Sequence, residues 1–195
     1  MRMKLFIYLA IGLLMIGCSK STSVVVVDIE TSSGLIEVEI DTVAAPITSA
    51  NFLRYVDGGM YEGGSFFRVV TMENQPEDSI RIEVIQGGAN PEYRDRFFDP
   101  IPLERTSDTG LKHLDGVISM ARGEPDTANH SFFICIGDQP SLDFGGMRNP
   151  DGQGFAAFGR VTAGMDIVQS IQGGEVELQR LLQPIQIIKV SRRLK

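Results

Sequence analysis

The sequence predicts a mainly β fold, a single antiparallel barrel or sandwich with helices laid over its open ends. Three observations lead there. Short β-branched and aromatic runs recur along the chain, eight or nine in all, separated by glycine- and proline-bearing turns. Only two stretches carry helical periodicity. Strands and helices do not alternate, so a parallel sheet is not indicated. With 195 residues, 43% apolar and 22% charged, the chain can fill one sizeable core.

The chain opens with Met1-Arg2-Met3-Lys4, a short positive segment, followed by an uninterrupted apolar run over residues 5–16. That run is too short for a transmembrane helix, which needs about 20 residues, and has the length of a secretory leader. It ends in Met15-Ile16-Gly17-Cys18, which resembles a bacterial lipoprotein cleavage box with Met15 where leucine is usual. The resemblance implies removal of residues 1–17, lipidation of the Cys18 thiol and a polar tether over residues 18–23. A plain signal peptide or an uncleaved anchor would carry the same run. Ser19 resembles an outer-membrane sorting choice in two-membrane bacteria. The expected location is therefore the cell envelope, with the protein held to a membrane by lipid.

Net charge is −7, and losing Arg2 and Lys4 leaves 16 basic against 25 acidic residues, or −9. So acidic a chain is not expected to bind nucleic acid. Arg192, Arg193 and Lys195 form the only basic cluster and read as a solvated tail. Two histidines and two cysteines give no zinc pattern. Cys135, between Ile134 and Ile136, reads as a buried structural thiol with no disulfide.

Residues 24–195 form one domain. Its first β runs, 24–29 and 35–40, are joined by Thr31-Ser32-Ser33-Gly34. In the second, Ile36, Val38 and Ile40 alternate with Glu37 and Glu39, which places the carboxylates in water rather than in a catalytic pair. Residues 46–57 are helical: Pro46 suits the first turn, Phe52, Leu53 and Val56 face the core, and Gly58-Gly59 stops the helix. A strand over 66–70, a polar insertion over 71–79 and a strand over 80–86 follow, with Ile82, Val84 and Gln86 on one face. Residues 90–110 are charged and aromatic in patches, with one short strand near 101–104. Residues 116–122 and 131–136 make a hairpin across the loop Gly123-Glu124-Pro125-Asp126. The glycine-rich loop 141–154 lacks phosphate-loop spacing. A strand over 155–162, a helix over 165–171 and a strand over 184–192 complete the chain. In the last strand Ile185, Ile187 and Lys189 share one face, and Gln186, Ile188 and Val190 the other. His130 and Ser131, as strand neighbours, are expected to point apart and to make no catalytic pair.

Seven blocks in this order resemble the cyclophilin-type peptidyl-prolyl cis–trans isomerases. They are Ala50-Asn51-Phe52; Phe67-Arg68-Val69-Val70; Gln86-Gly87-Gly88; Gly116-Val117-Ile118-Ser119-Met120-Ala121; Ser131-Phe132-Phe133-Ile134; Leu142-Asp143; and Phe158-Gly159-Arg160-Val161 with Gly164-Met165. The resemblance implies a closed eight-stranded antiparallel β-barrel capped by two α-helices. It implies acceleration of Xaa-Pro bond rotation in unfolded or flexible segments of exported proteins, with no cofactor or metal. The family's catalytic arginine and glutamine fall on Arg68 and Gln86. Its apolar proline pocket falls on Val84, Phe133 and Leu142, and its substrate-backbone contacts on Ala121 and Arg122. Ser131 stands where well-studied members carry a second glutamine, and Phe155 where they carry a pocket-edge histidine. Ser141 replaces a tryptophan, and a further pocket phenylalanine falls at Glu83. These departures motivate an alternative, a prolyl-peptide-binding chaperone or scaffold that has lost turnover.

Overall fold

The computed structural model describes residues 24–193, so the expected leader, the tether and Cys18 lie outside the described residues. Nine strands and three α-helices follow one another: β1 (Val24–Thr31), β2 (Gly34–Asp41), α1 (Pro46–Asp57), β3 (Ser65–Val70), β4 (Val84–Gly88), α2 (Thr106–Thr109), β5 (Val117–Met120), β6 (Phe132–Cys135), β7 (Ala156–Ala163), α3 (Met165–Gln172), β8 (Val176–Glu177) and β9 (Arg180–Arg192). The sheet order is β1-β2-β7-β5-β6-β4-β3-β9, and β9 pairs back onto β1. This is a closed eight-stranded antiparallel barrel, with the two-residue β8 attached to the start of β9. α1 and α3 pack on it, and α2 is a single turn.

Period-two alternation works as expected in β2: Ile36, Val38 and Ile40 are fully buried, while Glu37 and Glu39 face out. Both carboxylates are paired there, Glu37 with Arg193 and Glu39 with Arg160. β2 meets β7 closely because Gly159 has no side chain; a Cβ there would lie 2.2 Å from the Glu39 carbonyl oxygen. Inside the barrel, the Phe52 ring of α1 meets Tyr61, Phe132 and Phe158 at centroid distances of 5.3, 5.6 and 5.2 Å. Such offset and edge-on pairs suit the aromatic quadrupole.

Four expectations need correction. The strand expected over 80–86 begins only at Val84. Upstream, the buried Gln75 side chain takes the backbone groups a ladder would use: its Nε2 donates to the Ile82 carbonyl at 2.8 Å and its Oε1 accepts from the Ile82 N–H at 3.2 Å. The last strand begins at Arg180 rather than residue 184, and its faces differ from strict alternation. Opposite β1 the pairing steps from Lys189 to Ile187, so Ile188 is an extra residue and Ile187 and Val190 both point inward. Arg192 and Arg193 are not a solvated tail. Arg192 donates to Asp57 at 2.7 and 2.6 Å, and Arg193 reaches Asp28 at 2.7 Å. Finally, the strand expected near 101–104 is a single bridge, Ile101 to Ala128.

Residues 90–110 form a strap along α1. The Phe98 N–H donates to the Tyr55 hydroxyl at 2.9 Å, and the Arg54 guanidinium lies 4.2 Å from the Phe98 ring centroid. Glu104 then does what the sequence of α1 lacks. The residue before Pro46 is Ala45, with no capping side chain, and the Glu104 carboxylate accepts from the Ile47 and Thr48 N–H groups at 3.1 and 2.7 Å. A carboxylate at a helix N-terminus also complements the helix dipole. We expect Glu104→Ala to cost about 1 kcal/mol of stability, the usual size of a lost N-terminal cap. Urea unfolding of parent and variant checks this, and equal midpoints would show that the strap contributes no cap.

Candidate active site

One cross-strand row of the sheet builds the site. Arg68 pairs with Gln86 across β3–β4, Gln86 with Phe133 across β4–β6, and Phe133 with Ser119 across β6–β5. Directly opposite residues share a face. That face is the outside of the barrel, because Phe66, Val69, Ile85 and Phe132 belong to the interior core while Val70, Val84, Phe133 and Cys135 form a separate cluster. Arg68 reaches the outer face through a β-bulge: the β3–β4 pairing skips Phe67, so the residues between the inward Phe66 and the inward Val69 number two rather than one. Bulges commonly re-aim side chains beside functional sites.

The loop over residues 140–155 folds across this row and leaves a hollow of about 200 Å3. Eight residues expected at a site line it: Arg68, Val84, Gln86, Ala121, Arg122, Phe133, Leu142 and Phe155. Ile82, Arg148 and Asn149, which sequence reasoning did not find, line it as well. Ile82 takes the place expected of Glu83. The Glu83 side chain lies within 3.4 Å of the Gln172 amide of α3, so it points away from the hollow. Ser131 does not line the hollow; its carbonyl accepts from the Ala121 N–H at 2.9 Å and so holds that backbone.

Arg68 is held by neutral groups alone. Its Nη1 donates to Gln86 Oε1 at 2.8 Å, while Nε and Nη2 donate to Gln179 Oε1 at 3.0 and 2.6 Å. Gln179 is itself held by its Nε2, which donates to the Asn74 carbonyl at 3.2 Å. Among the described residues no carboxylate forms an ion pair with Arg68. Burial, followed by the nearby charge of Arg148, lowers its pKa from the ordinary arginine value, with Asp78 opposing. Two of its five N–H groups remain free for a ligand, as do the Nε2 protons of Gln86.

The apolar part is closed by Phe155, whose ring meets Phe133 edge-on at 5.4 Å. Behind Phe133 lies a buried polar row. His113 stacks on Phe133 at 6.0 Å, its Nδ1 lies 2.8 Å from Asp143 Oδ1, and its Nε2 lies 2.9 Å from Ser119 Oγ. The order serine–histidine–aspartate suggests a nucleophile, but Ser119 is fully buried and does not line the hollow. Cys135 is no nucleophile either. Burial, then the charges of Asp143, Asp115 and Asp138, pushes its thiol far above the usual range, so it stays protonated.

Arg122 and Ser131 depart from their expected settings. The Arg122 side chain is 1% exposed and clamps the loop: its Nε donates to the Gly154 carbonyl at 2.8 Å, and its Nη1 and Nη2 donate to Asp151 at 2.7 and 3.0 Å. Only its backbone is available to a ligand. The loop turns back at Gly154, where φ is 67° and a Cβ would lie 2.6 Å from the Leu142 carbonyl oxygen. Arg148 is tied down by Asp78 at 3.0 Å and by the Ile80 carbonyl at 2.6 Å. His130 and Ser131 do not point apart: Ser131 precedes β6, and its Oγ lies 3.4 Å from His130 Nδ1. That nitrogen already accepts from the Ala89 N–H at 3.3 Å, so it serves the backbone.

Asp143 should govern acid stability. Burial alone would raise its pKa, but hydrogen bonds from the ring and backbone of His113, with the charges of His113 and Lys112, outweigh this and leave it lowered. Its stabilisation is therefore complete above the unfolded aspartate value of about 3.9 and is lost as pH falls through the lower folded value. We expect Asp143→Asn to lose about 1–3 kcal/mol near neutral pH, the cost of disturbing a buried hydrogen-bonded charge. Its unfolding free energy should also fall less steeply below about pH 4 than that of the parent. Denaturation curves at a series of pH values check both, and parallel pH profiles would remove Asp143 from this role.

Comparison with known proteins agrees with this geometry. The family described as cyclophilin type peptidyl-prolyl cis-trans isomerase/CLD matches residues 26–192. The peptidyl-prolyl cis-trans isomerase cyp18 of Streptomyces antibioticus is 35% identical over 148 residues, covering 75% of this chain and 82% of the relative. Peptidyl-prolyl cis-trans isomerase A of Dickeya dadantii is 36% identical over 148 residues, covering 75% and 70%. A solved cyclophilin type isomerase of Cryptosporidium parvum, crystallised in the presence of the dipeptide Ala-Pro, shares the fold with a TM-score of 0.66 at 21% identity, covering 87% of this chain and 99% of that one. A bulged β3 that turns Arg68 outward onto Gln86 and Phe133, within a closed eight-stranded barrel, therefore sits in a chain that belongs to the cyclophilin-type peptidyl-prolyl cis–trans isomerase family.

Proposed function

We propose that this peptidyl-prolyl cis–trans isomerase turns Xaa-Pro bonds in the hollow beside Arg68, and that it serves exported polypeptides while tethered to a cell-envelope membrane by lipid on Cys18. One observation supports the site assignment above all others. A desolvated guanidinium with only neutral partners lines a hollow of about 200 Å3 whose apolar wall is Ile82, Val84, Phe133, Leu142 and Phe155.

Rotation about a prolyl bond breaks amide resonance, over a barrier of about 18–20 kcal/mol. No bond to the protein forms and no proton moves. As the amide twists, its nitrogen recovers a localised lone pair, which the planar ground states lack. A free N–H of Arg68 donates to that lone pair and so favours the twisted state over both planar forms. Gln86 Nε2 donates to the substrate carbonyl. Val84, Phe133, Leu142, Ile82 and Phe155 hold the proline ring, and the Ala121 and Arg122 backbone lies where the flanking peptide passes. Gln179 positions the guanidinium without touching substrate. The sequence of residues 1–23 supports the anchoring: a short apolar run closed by a lipoprotein-like box, then a polar stretch. One acyl chain binds a membrane marginally, so stable attachment requires more than one.

Two measurements test this. NMR exchange on an Ala-Xaa-Pro-Phe peptide should show fast exchange with the domain, and Arg68→Ala should lower kcat/KM by about 10²–10³, as removal of a transition-state donor does. Gln179→Ala should lower kcat by about tenfold with KM nearly unchanged, because misplacing a positioned group costs turnover rather than binding. Full activity in Arg68→Ala would remove the guanidinium from the mechanism. In the source cell or a bacterial host, mass spectrometry of the mature protein should show an N-terminal Cys18 carrying more than one acyl chain, and an unacylated N-terminus would sink the lipid anchor.

A further inference from the structure

Beside the prolyl hollow lies a second one, of about 560 Å3, on the far side of Arg68. Arg68 lines both. The larger hollow is walled by Phe67, Pro91, Leu178 and Pro184, with Glu177 and Arg180 at its edge. Phe67 faces outward because of the same bulge that turns Arg68 outward. Gln179, which holds Arg68, also lines it, so a chain leaving the proline over Arg68 and Gln179 enters it directly.

Leu178 points the same way. It is the first residue of the two-residue turn between β8 and β9, where Glu177 pairs with Arg180. Its φ is +59°, in the region such turns normally give to glycine or asparagine. It is also 86% exposed, the most exposed large apolar side chain among the described residues. A strained backbone and an apolar side chain in water are two costs at one residue, and neither serves the turn. Outliers of this kind cluster at ligand contacts. Glu177 and Arg180, opposite each other across the turn, offset each other's charge, and the one remaining charge in the lining is that of Arg68, which the prolyl hollow shares.

We infer that this hollow is a second subsite for the same polypeptide, which takes an apolar side chain of the segment flanking the proline against Phe67, Leu178 and Pro184. The inference rests on prolyl binding in the neighbouring hollow. Its occupant is the substrate chain itself, because Arg68 lines both hollows and Gln179, which holds Arg68, lines the second. The enzyme then prefers Xaa-Pro bonds with a leucine or phenylalanine nearby, a sequence pattern exposed in unfolded chains and hidden in folded ones.

The test uses nine-residue peptides with one central proline and a single leucine moved through the four positions on each side, against an all-serine control. Affinity and methyl NMR spectra are recorded with the parent and with Leu178→Asn, a polar residue suited to the turn. Leucine at one or two positions on a single side should tighten binding by about fivefold and shift the Leu178 methyl signals, and Leu178→Asn should reduce that preference to about onefold. Equal affinity for all peptides, or tighter binding with unmoved Leu178 methyls, overturns the subsite. Retention of the preference in Leu178→Asn overturns it as well. The all-serine peptide reports on the prolyl hollow alone: if its proline fails to perturb Phe133 and Phe155, the neighbouring reading fails, whatever Leu178 does.

Discussion

β9 is the constraint on which the rest depends. It pairs with β1, β3 and β8, so the last strand closes the barrel between the first strand and the middle of the chain. The pairing with β3 is uneven: Phe66 meets Ile185 and Arg68 meets Arg180, which leaves four β9 residues opposite the single Phe67. That slack lets one strand do two things. Its later part seals the core with Ile187 and Val190, and its start carries Gln179 to Arg68. The Val69 N–H donates to the Gln179 carbonyl at 2.9 Å, so the positioning residue is fixed by backbone as well as side chain. The site is thus assembled only when the two ends of the domain have met, a contact of high sequence separation that forms slowly.

The three arginines around the small hollow show why Arg68 differs from the others. Arg122 is paired with Asp151 and Arg148 with Asp78. Each neutralises a carboxylate and ties a loop to the barrel. Arg68 has amide oxygens instead, and burial lowers its pKa. A carboxylate partner would relieve that desolvation but would also occupy the donors and cancel the field at the prolyl nitrogen. Neutral acceptors fix the direction of the guanidinium and leave its charge uncompensated. The fold tolerates this cost at Arg68, the place where the proposed reaction calls for an uncompensated charge.

How much of this was legible in the sequence depended on distance along the chain. β2 could be read from its own alternation, and α1 from Pro46 and its apolar stripe. The residues of the prolyl hollow followed from short blocks, since Arg68, Gln86 and Phe133 sit in strands whose mutual register is common to the family. What failed was set by distant partners. The bulges at Phe67 and Ile188 belong to pairings and leave no mark in a single strand. Pro184 reads as a strand start because proline cannot donate to a ladder, yet it sits inside β9, in the stretch that β3 leaves unpaired. Glu104 caps α1 from 57 residues away, and Gln179 meets Arg68 from 111 residues away. Ile82 replaced Glu83 in the wall because Gln75, inside a polar insertion, pulls residues 80–83 off the strand.

Two departures from the family pattern, Phe155 and Ser131, and the setting of the Arg122 side chain have a common direction. Phe155 makes the rim aromatic, Ser131 lies outside the hollow, and the Arg122 guanidinium is taken up by Asp151 and Gly154. In the proposed binding mode each leaves one side-chain polar contact fewer beside the proline. In the proposed binding mode the remaining polar contacts to substrate come from Arg68, Gln86 and backbone groups. Such a pocket recognises the proline ring by shape and apolar area, which change little as the bond turns. Binding of that kind is nearly uniform between ground and transition states and lowers KM more than it raises kcat. On the proposed mechanism, the discrimination between planar and twisted amide then rests almost wholly on Arg68, and on the amides of Gln86 and Gln179 that aim it.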